Sequence, residues 1–88
     1  MTHAWYGDGA EKARVELTRS ERAAVEDVRA SLELDPRQGR PLPDAGPGSE
    51  TYAVELLPEV TQGRGISVIY RYSRELDACL IIWLLAGP

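Results

Sequence analysis

The chain has 88 residues, 10 of them basic and 14 acidic, for a net charge of −4; 43% are hydrophobic and 27% charged. That size and balance describe one domain with a single core, and the negative sum opposes the basic field that polyanion-binding domains present. No apolar run approaches the ~20 residues of a bilayer span, and the single cysteine rules out a disulfide framework or a multi-cysteine zinc site.

The start, Met1 to Tyr6, has neither the basic nor the long apolar region of a signal peptide. A cytoplasmic protein without metal, cofactor or membrane contact is expected. Residues 1–12 read as an arm ahead of a single domain at 13–88. Gly7-Asp8-Gly9 is a turn signal, while Trp5 and Tyr6 are aromatics that favour burial. His3, the one histidine, has no second ligand nearby.

Ala13-Arg14-Val15-Glu16-Leu17 alternates with period two and predicts a first strand. Thr18-Arg19-Ser20-Glu21 has capping-box spacing and opens a helix over Arg19–Leu34 with Ala24, Val25, Val28, Ser31 and Leu32 as its buried stripe. Asp35-Pro36 closes it, since proline disfavours helical geometry in the residue before it. Residues 37–50, rich in Pro and Gly, read as a loop whose structured piece is Arg40-Pro41-Leu42-Pro43.

Three strands follow, Tyr52–Leu56, Gly65–Tyr72 and Ala78–Ala86, with turns at Pro58–Arg64 and Ser73–Asp77. The period of two puts Tyr52, Val54, Leu56, Ile66, Val68, Tyr70 and Tyr72 toward the helix. Ala53, Glu55, Ser67, Ile69 and Arg71 then build an open face. The last strand has no polar interruption from Cys79 to Leu85, so both of its faces need cover. Cys79 reads as a small buried hydrophobe. Trp83 lies on the non-helix face, together with Ile81 and Leu85 or with Ile82 and Leu84. That face is either a partner surface or is covered by Trp5 and Tyr6 folding back. Arg71 either pairs across strands with Glu55 or meets an anion.

The order of strand, helix, Arg-Pro-Leu loop and meander resembles the RelE/ParE superfamily of type II toxin–antitoxin toxins. The resemblance rests on Asp35-Pro36-Arg37, Arg40-Pro41-Leu42, Tyr52-Ala53-Val54-Glu55-Leu56, Gly65-Ile66-Ser67-Val68-Ile69-Tyr70 and the apolar last strand ending in Ala86-Gly87. It implies an α+β fold, β-α-β-β-β, with an antiparallel sheet packed on one main helix where the family has a helical hairpin. It also implies an antitoxin-like partner. Ribonucleases of the family cut mRNA in the ribosome with basic and acid–base residues on the open face. Here Ala53, Glu55 and Ser67 stand at such positions, and the matching segment closes at Gly87-Pro88, ahead of a terminal Arg.

The reading is therefore a diverged toxin-fold protein that works by binding, through Glu55, Ser67, Ile69, Ile81 and Trp83, an antitoxin-like protein or a second copy as homodimer. Two alternatives stand beside it. One is a ribosome-dependent endoribonuclease acting on mRNA, with Arg40, Arg64 and Arg71 for phosphate and Tyr70 or Tyr72 for proton transfer. The other is a ParE-like gyrase inhibitor.

Overall fold

A computed structural model describes residues 1–43 and 49–87. The elements run β1 (His3–Tyr6), α1 (Asp8–Val15), α2 (Arg19–Leu32), β2 (Arg40–Leu42), β3 (Ser49–Leu56), α3 (Pro58–Thr61), β4 (Ile66–Ser73) and β5 (Ala78–Ala86). They form one five-stranded sheet in the order β1-β5-β4-β3-β2. β2, β3, β4 and β5 pair antiparallel, and β1 adds to β5 in parallel. The α+β class, the meander and the helix-covered sheet are as expected; the N-terminal third differs.

Residues 13–17 are not a strand. Ala10 and Leu17 are buried and Ala13 packs on the core, whereas Val15 is 71% exposed. Those inward positions are three and four apart, the spacing of a helix. Five residues with apolar first, third and fifth places satisfy both periods, and the longer context decides for α1. The first strand is instead His3–Tyr6, inside the segment expected to be an arm. It is held by His3 N–H donating to the Asp77 carbonyl at 3.1 Å and Gly7 N–H donating to the Ile81 carbonyl at 2.8 Å. Thr2 Oγ1 donates to the Asp77 carboxylate at 2.6 Å, which fixes the chain just ahead of β1. Two successive helices thus replace the single one expected.

The capping box at α2 is formed. Thr18 Oγ1 accepts from Glu21 N–H at 3.2 Å, and Glu21 Oε1 accepts from Thr18 N–H at 2.8 Å. The helix ends at Leu32, two residues earlier than expected, and Leu34 is exposed. Val25, Val28 and Leu32 meet Tyr52, Ile66, Val68, Tyr70, Cys79, Ile81 and Leu84 from the sheet in one core. The turn expected over Pro58–Arg64 contains the short helix α3, opened by Pro58 and closed by Gln62 in the left-handed region at φ 56°.

A register shift between Ile69 and Tyr70 opposite β5 pairs Ile69 with Trp83 and Tyr70 with Ile81. Ile82 is the extra residue of a bulge, so inward positions run Cys79, Ile81, Leu84 rather than strictly every second residue.

Candidate functional site

On the face away from the helices, three registers cross the sheet. Trp5, Leu80, Arg71, Thr51 and Leu42 form one; Trp83, Ile69, Ala53 and Arg40 the next; Leu85, Ser67 and Glu55 the third. Pleating places each set on the same side, because successive side chains alternate. The face is apolar along β5 and polar toward β3 and β2. Trp5 is 50% exposed, Trp83 58% and Leu85 56%. Such a concentration of large exposed apolar groups on one strand pair marks an interaction surface more often than chance scatter.

The polar side of the face is largely satisfied internally. Arg40 reaches Glu55 at 3.3 Å, and Ser67 Oγ donates to the other Glu55 oxygen. The cross-strand partner of Glu55 is therefore Arg40 and not Arg71. Arg71 is exposed, lies opposite Thr51 and Leu80, and makes no ion pair among the described residues. Beside it is a depression of about 300 Å³ lined by Trp5, Ser49, Arg71, Ser73, Leu76, Ala78 and Leu80.

The expected residues divide cleanly. Glu55, Ser67, Ile69, Arg71, Arg40 and Trp83 share the open face, Ile69 being nearly covered there at 9% exposure. Ile81 does not; the bulge turns it into the core, where it is fully buried. Arg64 lies away from this face, bound to the Glu21 carboxylate. Its Nη2 is 3.0 Å and its Nε 3.1 Å from the two Glu21 oxygens, and its backbone N–H donates at 2.9 Å. Glu21 is 1% exposed, and the Arg64 guanidinium, then the Arg64 and Thr18 backbone N–H groups, hold its carboxyl far below the usual range. The exposed Arg64 thus covers a buried carboxylate and ties α2 to the β4 approach.

The tyrosines are structural as well. Tyr70 is fully buried, stacks on Tyr52 at 5.4 Å between ring centroids, donates to the Pro36 carbonyl at 2.8 Å and accepts from Gly39 N–H at 3.1 Å. Burial pushes its hydroxyl up to about 12, away from any value useful for proton transfer near neutrality. Tyr52 donates to Glu50, which also receives Arg37 at 2.8 and 3.0 Å, and Arg37 lies over the Tyr72 ring. Burial likewise raises Cys79 to about 11, leaving an inert thiol. Among the described residues no three His, Cys, Asp or Glu side chains gather as a metal site, and no helix is long and apolar enough to cross a membrane.

The arm does not fold over Trp83. Trp5 points to the open face beside Leu80, and Tyr6 to the helices, where its hydroxyl donates to Glu26 at 2.8 Å and Arg14 lies over its ring. Trp5, Leu76 and Leu80 were the functional candidates that sequence reasoning missed. The alternation His3-Ala4-Trp5-Tyr6 was the available signal, but four residues are too few to separate strand from arm.

The sequence matches no family model and no curated protein. Solved structures do match. The chain is similar to the intact RelBE toxin–antitoxin complex of E. coli (TM-score 0.76, 15% identity, covering 100% of this chain and 99% of that one). It is similar to the isolated E. coli RelE toxin (0.75, 15%, 100% and 86%). An archaeal RelE–RelB complex from Pyrococcus horikoshii OT3 also matches (0.72, 16%, 97% and 93%). The likeness spans the whole chain, so this protein has the RelE toxin fold.

Proposed function

We propose that this chain is a toxin-fold component of a toxin–antitoxin pair in the cytoplasm and acts by protein binding through the open face of its sheet. The observation that carries this reading is the combination of exposed Trp5, Trp83 and Leu85 with a polar side on which Arg40 and Glu55 pair with each other. Stabilising the transition state of phosphodiester cleavage calls for several converging cations and a group with a matched pKa. Of the three arginines considered for that task, Arg64 is committed to Glu21 and Arg40 to Glu55. The remaining one, Arg71, has apolar neighbours and Thr51. Fold alone does not confer the nuclease activity known in the superfamily. That two of the similar solved structures are complexes with an antitoxin supports a protein as the partner.

The test is induced expression in a bacterial host, with growth and incorporation of labelled amino acid measured for the wild type and for Arg40→Ala/Arg71→Ala. The reading predicts growth inhibition that is relieved by a co-expressed partner and that survives loss of the two arginines. Inhibition that vanishes with them, alongside mRNA cleavage in the wild type, transfers the assignment to the ribonuclease reading. Unaffected growth removes the toxin role altogether.

A further inference from the structure

We propose that the depression between Trp5, Leu76 and Leu80 is the anchor point of the open face, and that it seats an apolar side chain from an amphipathic helix carrying a carboxylate for Arg71. This rests on the reading that the open face binds a protein, and it specifies which part of the face decides affinity and what the occupant must look like.

Three observations lead there. The first is that both sheet edges resist an added strand. At the β1 edge the Ala4 carbonyl accepts from Arg29 Nη1 of α2 at 2.9 Å, so its free acceptor is already used. At the other edge β2 has three residues, and Pro41 in its middle lacks an N–H. Strand addition works best on a long uninterrupted run of unpaired backbone groups, and both edges are short and interrupted. This favours a partner that lies on the face, where a helix is the element that brings its own backbone hydrogen bonds satisfied.

The second is length. The apolar strip along β5 from Leu80 past Trp83 to Leu85 covers roughly 15 Å at strand rise. About ten residues of α-helix, or three turns, match it. The depression sits at the Trp5 end of that strip, where the β4–β5 turn contributes Leu76, which is 76% exposed. Concave, apolar and next to a rim charge is the geometry in which binding hot spots concentrate.

The third is charge. Arg71 lines the depression and has no ion pair among the described residues, while the neighbouring hydroxyls are those of Ser49 and Ser73. A carboxylate on the helix, one turn from the buried apolar side chain, completes that arrangement. A cation there would meet Arg71 across an apolar surface of low dielectric.

The chain's two tryptophans both lie on this face and serve as separate reporters. The probes are capped helical peptides of about 18 residues, long enough to hold a helix in water. One has leucines on one side flanked by glutamates, a second has lysines at the glutamate positions, and a third is a strand-forming peptide of alternating pattern. Trp83→Phe leaves Trp5 to report on the depression, and Trp5→Phe leaves Trp83 to report on the rest of the strip.

The proposal predicts a blue shift of Trp5 with the acidic helix and binding at least about tenfold weaker with the basic one. Arg71→Glu should reverse that preference, and Leu76→Ser should weaken the acidic helix. A shift of Trp83 without Trp5 leaves the open face in use but overturns the anchor. No shift of either overturns the face reading as well. Equal binding of both helices, preference for the strand-forming peptide, a larger Trp5 response to single-stranded RNA, or a concentration-dependent shift without peptide each overturns the proposed occupant.

Discussion

Tyr70→Phe separates a structural tyrosine from a catalytic one, and its effect can be sized from the contacts. The substitution keeps the ring that stacks on Tyr52 and fills the core, and removes only the hydroxyl. That oxygen bridges two backbone groups at the start of the loop, the Pro36 carbonyl at 2.8 Å and the Gly39 N–H at 3.1 Å. A net hydrogen bond is worth about 1 kcal/mol, and a donor left without a partner costs about 1–3 kcal/mol. Gly39 is closely enclosed, since a Cβ there would lie 2.9 Å from the Ala53 carbonyl, so a replacement water has little room. The expected loss is about 2–3 kcal/mol, or a drop in Tm of about 10–20 °C for a domain of this size. Urea unfolding followed by circular dichroism should show a lower midpoint at unchanged slope. A loss below about 0.5 kcal/mol would refute the bridging role. Lost growth inhibition at full stability would move Tyr70 into the chemistry.

Other outcomes follow from the same contacts. Gly63→Ala would place a Cβ 2.6 Å from a Glu21 oxygen that the backbone N–H and Nε of Arg64 hold in place, and should cost about 1–3 kcal/mol in thermal unfolding. Stability should fall with acid. Arg64 holds Glu21 below the usual carboxylate value, Arg29 does so for Glu26, and Arg37 takes Glu50 down to about 2. Depressed carboxyls contribute fully above their unfolded value of 4.5, and that contribution is lost as pH falls toward their folded values. Tm measured from about pH 6 to about pH 2 should therefore decline below about pH 4.5, and a flat profile contradicts the ion-pair account. Glu50→Gln should raise amide exchange at β2 and the start of β3, where the Arg37–Glu50 contact ties the two ends of the loop, while leaving exchange in α2 unchanged.

Much of the fold is legible locally. The capping box at Thr18 and Glu21 places the start of α2, and the unbroken apolar run of β5 declares an internal strand. The parity of β3 and β4 assigns Glu55, Ser67, Ile69 and Arg71 to one face because each register is regular there. What failed was non-local or too short. Four residues of β1 gain strand geometry only from β5, which lies over 70 positions away in the chain. Ala13 to Leu17 fits two periods, and packing chooses between them. The bulge at Ile82 shifts parity by one and sends Ile81 inward, with no residue type to announce it. Arg64 is exposed, as read, but its commitment to Glu21 was hidden because the two lie 43 positions apart. The expected arm and its Trp5 conceal half of the candidate anchor for the same reason.

The claim that the open face is a protein-binding surface meets its most direct test in co-purification with the co-expressed partner that relieves growth inhibition, comparing wild type with Trp83→Glu. Trp83 is 58% exposed and outside the core, so the substitution should shift Tm little while placing a charge in the middle of the apolar strip. The account predicts a stable complex with the wild type and none with the variant. A complex that persists with Trp83→Glu contradicts it.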